Sequence, residues 1–446
     1  MTSPARSATG HEGRLRELRA EALAATRAYA EEALAPPDFV RGETWVPVAG
    51  RVIGAQELEA LVDASLDGWL TEGRFAARFV AEFAHAVGRG HALLVGSGSQ
   101  ANLLAAAAMC SHLLERPLRP GDEVITPAVG FSTTVTPIYQ VGLVPVYVDV
   151  EPDTLGPTLD AFADAISDRT RVVLAAHCLG NPFDGAGLAR LCAEHDLVLI
   201  EDCCDALGST LGGRRVGTFG TAATYSFYAA HHMTTGEGGA IAADDPDWVR
   251  ALGSLREWGR DCWCPPGVND ACGRRFDGRF GDMPAGYDHK YVFSQLGFNF
   301  KVTDMQAALG LAQLDRLEDF GARRRANFAR LDAALADLDD RILRPRALPD
   351  ADPSWFGYPF ALRDGGAARR RELQRFLQER RIDSRLVLGG NLTRQPGYRG
   401  LRHRIAGPLD GADAVTESSL WVGCYPGLTD EMVDWIAESV REFLGA

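Results

Sequence analysis

Lysine is nearly missing from this 446-residue chain: Lys290 and Lys301 stand among 46 Lys and Arg residues. Chemistry that needs a lysine amine therefore has two candidates. Basic charge is in deficit too, and a net charge of −14 argues against a nucleic-acid-binding face and against docking on anionic membranes. No uninterrupted apolar run approaches the ~20 residues that span a bilayer. Met1–Arg6 lacks the apolar core of a secretory signal, so the expected setting is cytoplasmic. Disulfides are not expected either. Nine cysteines, an odd number in a chain without that signal, point to free thiols or metal ligation.

What is present suits a soluble globular protein with one large and one smaller domain. Periodicity and breakers predict helices over Leu15–Leu34, Glu57–Leu70 and Arg74–Val87. Strands and helices then alternate, with strands expected at Ala92–Val95, Glu123–Thr126, Val144–Asp149, Val172–Ala176, Leu197–Glu201, Ala223–Phe227 and Gly239–Ala242. Helices Gln100–Leu113 and Gly187–Glu194 fall between them, and the alternation predicts an α/β fold with a mainly parallel sheet. Residues 258–298 break the rhythm with Gly, Pro, Asp, Arg, aromatics and three cysteines, a composition that suits a functional loop. Helices resume at Thr303–Leu314 and Arg316–Leu335. The expected division is a large domain over 1–337 and a smaller α+β domain over 338–446.

Ser97-Gly-Ser-Gln-Ala-Asn102 follows a predicted strand and opens a helix, where free backbone N–H groups and a hydroxyl make a phosphate cradle. Further on, Tyr225-Ser-Phe-Tyr-Ala-Ala-His-His-Met-Thr-Thr-Gly-Glu-Gly-Gly239 resembles the cofactor-lysine segment of the DegT/DnrJ-type sugar aminotransferases. That segment runs Ser-Phe, three residues, lysine, then Thr-x-Gly-Glu-Gly-Gly. Here the lysine slot holds His231. An imidazole cannot form the Schiff base that tethers pyridoxal phosphate, but it can take and return a proton near neutral pH.

The resemblance spans nearly the whole chain after residue 45 and implies an aspartate aminotransferase-like, fold type I large domain. It implies that Gly98, Ser99 and Ser226 hold a cofactor phosphate, that Phe131 stacks on a pyridine ring, and that Asp202 bonds the pyridinium nitrogen. Asn299 would reach the phosphate of a neighbouring subunit, which implies a homodimer. Gly96 departs from the asparagine usual before the cradle. Gly180-Asn-Pro-Phe183, Gly286-Tyr-Asp-His-Lys-Tyr291 and Gly390-Asn-Leu-Thr-Arg-Gln-Pro396, with the His231 slot, are similar to the branch of pyridoxamine phosphate (PMP)-dependent NDP-4-keto-6-deoxyhexose 3-dehydratases. Cys204, Cys262, Cys264 and Cys272 form a C-x57-C-x-C-x7-C pattern that resembles the 2Fe–2S ligand set of the iron–sulfur members. Four thiolates also suit zinc. Cys204 stands two residues beyond Asp202, at most ~7 Å away between α-carbons, so a cluster there would lie beside the cofactor.

The implied reaction joins untethered PMP to the C4 ketone of a dTDP- or CDP-linked sugar. His231 removes the cofactor's C4′ proton, the C3 hydroxyl departs, and electrons arrive singly through the cluster. Because no flavin or nicotinamide fingerprint appears in the chain, a separate NAD(P)H-dependent reductase, ferredoxin or flavodoxin must supply them. Tyr287, His289, Asn391, Arg394 and Arg404 are the expected sugar-nucleotide contacts. Three rivals stand beside this reading. They are a pyridoxal-phosphate sugar aminotransferase using Lys290 or Lys301, a non-catalytic sensor, and a PMP dehydratase without net reduction whose cysteines hold zinc.

Overall fold

The computed structural model describes residues 8–36, 38–262, 264, 267–271 and 273–445; Cys272 lies outside them. Its centre is an eight-stranded sheet of β1 (His91–Val95), β2 (Glu123–Pro127), β3 (Val144–Val148), β4 (Thr170–Ala176), β5 (Val198–Asp202), β6 (Ala222–Ser226), β7 (Gly239–Ala243) and β8 (Arg404–Ile405). The spatial order is β1-β7-β6-β5-β4-β2-β3-β8. β7 runs antiparallel to both its neighbours, whereas every pair from β6 across to β8 is parallel. The parallel strands read as continuous apolar runs because helices cover both faces: all five residues of β2 and of β3 are buried.

Helices α1 (Ala8–Ala33), α2 (Ala55–Leu66) and α3 (Arg74–Val87) precede the sheet. α4 (Gly98–Met109) and α5 (Ser132–Gln140) follow β1 and β2, and α6 (Pro246–Arg256), α7 (Asp304–Leu314) and α8 (Leu317–Ala334) follow β7. The seven strands expected before residue 245 all form, within two residues at either end. α2 stops four residues short of the expected Leu70. Gly68 there takes a left-handed φ of +67°, and Arg19 and Arg74 both bond the Asp67 carboxylate. α4 begins two residues early, because Ser97 accepts a hydrogen bond from the Gln100 amide and caps the helix.

Residues 338–446 contribute to two layers. A smaller four-stranded sheet orders Ile342–Leu343, Gly357–Leu362, Ser419–Gly423 and Ser384–Arg385 side by side. Its core also draws on Val46, Leu331 and Leu335 from the first part of the chain. In return, β8 adds a strand to the large sheet beside β3, and Val387, Leu392 and Tyr398 pack into the large core. Among the described residues of the stretch 258–298 there is one short 3-10 turn, His289–Tyr291. The stretch is pinned at its base by bridges Glu257–Asn299 and Arg260–Phe293.

α3 starts at Gly73, which has no side chain to cap it. Asp304, buried and 228 residues away from Ala76, takes over. Its Oδ1 accepts from the Gly73 and Ala76 amides at 2.9 and 2.8 Å, and its Oδ2 from Phe75. Removing it leaves buried donors unpaired. Asp304→Ala should cost about 1–2 kcal/mol of unfolding free energy, with Asp304→Asn costing less; chemical denaturation read by circular dichroism measures both.

Candidate active site

The carboxyl ends of β4, β5 and β6 open into a cavity of about 590 Å³, within the range of small-ligand pockets. The amino terminus of α4 forms one end. Its close approach depends on two glycines. A Cβ on Gly98 would fall 2.6 Å from the Ser226 Cβ and 2.8 Å from the Cys204 sulfur, and one on Gly239 would strike the Ser97 backbone at 2.5 Å. Ser99 donates its hydroxyl hydrogen to Thr133 Oγ1 at 2.8 Å, and Ser226 lines the same end. Free helix-terminal N–H groups and two hydroxyls suit a phosphate.

Asp202 ends β5 and faces the cavity. Its Oδ2 accepts from Asn102 Nδ2 at 2.9 Å and Thr134 Oγ1 at 2.7 Å, and its Oδ1 from the Cys204 amide at 3.0 Å. Thr224 fixes Asn102 in turn through a 2.6 Å bond. Strand alternation sends the neighbouring Glu201 to the opposite side. There it binds the Gly217 and Gly220 amides and His177 Nε2, so of the two acids Asp202 serves the cavity. Phe131 leads into α5 with 54% of its surface open. An aromatic face, a carboxylate and a phosphate cradle around one cavity fit a pyridine phosphate.

His231 approaches from the loop after β6. Its Nδ1 lies 2.7 Å from the Cys204 carbonyl oxygen. A carbonyl can only accept, so the neutral ring carries its hydrogen on Nδ1 and leaves the Nε2 lone pair bare. Burial pushes the imidazole down to about 4; the Cys204 carbonyl opposes this and the nearby Arg324 cation adds to it. Arg324 itself is wholly buried and bonds three carbonyls, those of His231, Trp355 and Phe356. Asp205, with Oδ1 at 3.9 Å from His231 Nδ1, moves the other way. Burial and then the charge of Asp202 push it up to about 7. His232 is structural: its Nε2 donates to the Ser354 carbonyl at 2.6 Å.

Neither lysine lines the cavity. Lys301 Nζ binds Glu257 at 2.8 Å and sits 3.6 Å above the Trp258 ring; Lys290 Nζ binds Asn269 at 2.7 Å. The expected sugar-nucleotide residues also stand apart from the cavity. Asn391 Nδ2 binds Asp413, Arg394 pairs with Asp413 and Glu417, and Arg404 pairs with the buried Glu123 at the opposite, amino end of the strands. Tyr287 and His289 belong to the 258–298 loop. Asn299 is exposed beside Glu257, outside its own chain's cavity.

Of the expected metal ligands, Cys204 lines the cavity, and Cys262 and Cys264 lie close enough to perturb each other's titration. That pairing suits the two thiolates of one iron. Burial, then Asp202, pushes the Cys204 thiol up, so ligation there would release a proton. Among the described residues, the grouping of ligand atoms all within 4.8 Å of one another is His177, Glu201 and Cys203. Cys204, Cys262 and Cys264 do not draw together that tightly. Asp205, Thr134, Asn102 and Arg324 went unread in the sequence. Asp205 could have been found as the second acid after the strand-end Asp202, whereas Arg324 carries no local signal.

The raised Asp205 carboxyl has a consequence for stability. Its favourable contribution is full below the ordinary carboxylate value near 4 and is lost as pH rises through about 7. Asp205→Asn should therefore raise the melting temperature at pH 8 and leave it unchanged or lower at pH 4, as calorimetry at the two pH values will read.

The chain matches the DegT/DnrJ/EryC1/StrS aminotransferase family over residues 51–441. It is 48% identical over 423 residues to a dTDP-4-dehydro-2,6-dideoxy-D-glucose 3-dehydratase of Saccharopolyspora spinosa, covering 95% of this chain and 91% of that protein. The lipopolysaccharide biosynthesis protein RfbH of Salmonella typhimurium is 47% identical over 418 residues, 94% of this chain and 96% of its own. Among solved structures, an E. coli GDP-4-keto-6-deoxy-D-mannose-3-dehydratase with bound hydrated PLP superposes with a TM-score of 0.80 at 27% identity. The match covers 89% of this chain and 99% of that one. The architecture is that of fold type I pyridoxal-phosphate enzymes, and the chain belongs to the DegT/DnrJ/EryC1/StrS aminotransferase family.

Proposed function

We propose that this chain removes the C3 hydroxyl of a nucleotide-linked 4-keto-6-deoxyhexose with PMP held without a covalent tether. The observation that carries this is His231: a neutral imidazole with its Nε2 lone pair free, where the family keeps a lysine. The name of the 48%-identical relative favours a dTDP-linked sugar. When bound, PMP supplies an amine that condenses with the C4 ketone and a ring that takes up an electron pair. The chain's own residues do the rest. Gly98, Ser99 and Ser226 seat the phosphate, Phe131 covers a ring face, and Asp202 keeps the ring nitrogen protonated. His231 Nε2 takes the proton from the cofactor's C4′ and delivers it toward the departing C3 oxygen.

Cys204, Cys262, Cys264 and Cys272 would hold a 2Fe–2S cluster, which would supply reducing electrons one at a time. Their spacing, the contact between Cys262 and Cys264, and the place of Cys204 at the cavity support that donor set. A separate NAD(P)H-dependent reductase or ferredoxin is the electron source. The exposed Asn299 favours a homodimer in which it reaches the partner's cofactor, and we place the enzyme in the cytoplasm. A lysine-tethered aminotransferase fits less well, since both lysines are engaged outside the cavity.

His231→Asn should keep PMP binding yet slow hydrogen exchange at C4′ by on the order of 10²–10⁴-fold. Mass spectrometry of PMP deuterated at C4′ follows the exchange; wash-out at the native rate would remove His231 from this role. Cys204→Ala should lose the visible and electron paramagnetic resonance signals of the reconstituted cluster while PMP still binds. A colourless, iron-free native protein after anaerobic reconstitution would end the cluster assignment.

A further inference from the structure

The cavity is acidic for a site that must receive an anionic substrate. Asp202, Asp205, Glu237 and Asp383 all line it, and among its described lining residues Arg385 is the one Lys or Arg side chain. A diphosphate entering this field of carboxylates needs a fixed cation, and the α4 cradle is taken by the cofactor phosphate.

Arg385 is built for that task. It lies on the short strand Ser384–Arg385, directly opposite Trp421 in the neighbouring strand. Trp421 lines the cavity beside it and is fixed by a bond from its Nε1 to the Leu386 carbonyl. Three residues earlier, Ile382 is bridged to Val46, so the backbone leading to Arg385 is held on both sides. Its Nη1 donates to the Asp383 carboxylate and, at 3.0 Å, to the Ser384 carbonyl. Nε and Nη2 make no hydrogen bond among the described residues. With its side chain 57% exposed, the pair with Asp383 is a weak surface ion pair. It orients the guanidinium without consuming its fork. A diphosphate offers more charge and two-point geometry, which a guanidinium matches better than a lysine would.

We propose that Arg385 is the residue that grips the diphosphate of the nucleotide sugar, with Asp383 orienting it before substrate arrives. This rests on the nucleotide-sugar reading above. The hexose then lies between Arg385 and the Phe131–His231 end, and Trp421 supplies an apolar wall beside it.

Competition by inorganic pyrophosphate and by dTDP tests the assignment on the PMP-loaded protein, with binding read by calorimetry and therefore independent of turnover. Arg385→Gln should weaken both about 10- to 100-fold, the loss of one charge-assisted contact, and raise KM for the nucleotide sugar equally while kcat holds. Arg385→Lys should recover part of the loss. An unchanged PMP absorption band shows that the variants are folded. Native-strength binding of pyrophosphate and dTDP by Arg385→Gln overturns the proposal. Arg385-dependent binding in a protein that never dehydrates the sugar leaves this inference standing and removes the proposed reaction instead.

Discussion

The end of β5 is the constraint on which the site depends. Across six residues the chain passes from a strand buried on both faces to a turn at the cavity. It delivers five functional groups in fixed order: the Glu201 carboxylate inward to a loop, the Asp202 carboxylate to the cavity, and then the Cys204 carbonyl and thiol with Asp205 behind them. Parallel pairing with β4 and β6 sets the depth of each. A slip of one residue would exchange Glu201 for Asp202, burying the cavity's carboxylate beneath the Gly217–Gly220 loop. Each acid would then meet donors placed for a side chain of the other length: the Gly217 and Gly220 amides and His177 on one side, Asn102, Thr134 and the Cys204 amide on the other.

Electrostatics around that turn run opposite to solution chemistry. Burial pushes His231 down to about 4 and Asp205 up to about 7, so at neutral pH the base is uncharged and the neighbouring acid holds part of its proton. Separated titrations of adjacent groups are how a site holds a base and an acid at one pH. Arg324 is central to the arrangement. It is a wholly buried cation whose donors go to carbonyls rather than to a carboxylate, an expensive choice. One of those carbonyls belongs to His231 and two belong to the strand edge at Trp355–Phe356, so the same guanidinium ties the imidazole's backbone to the smaller sheet.

Legibility in the sequence followed the range of the physics. The strands of the large sheet were readable because burial on both faces makes apolar runs, and the α4 cradle because Ser97 and Gly98 sit at a strand-to-helix junction. Asp202 and His231 were readable because both lie on local segments with fixed spacing. What depends on distant chain was not. Asp304 caps α3 across more than two hundred residues, Arg324 reaches His231 from α8, and Arg385 enters the cavity from the smaller sheet. Arg394, Asn391 and Arg404 illustrate the converse. Asn391 and Arg394, from the Gly390–Pro396 motif, and Arg404, from outside it, are taken up by Asp413, Glu417 and Glu123, and no local pattern reveals that a carboxylate waits elsewhere. The division at residue 338 has the same cause, since β8 and Val46 each cross to the other sheet's territory.

Cys204 joins the two halves of the chemistry in one residue. Its carbonyl accepts the hydrogen that fixes the tautomer of His231, while its sulfur lies under Gly98 against the phosphate cradle. Any ligand that draws on the thiol therefore acts on the peptide that orients the base. A displacement of a few tenths of an ångström would lengthen the 2.7 Å bond and loosen the imidazole. The thiol and the base cannot be tuned separately. The position consequently demands a residue whose side chain is small enough to pass beneath Gly98 and whose backbone is held by Asp202 through the Cys204 amide. Serine would meet the size requirement but lacks the soft sulfur that a thiophilic ligand selects.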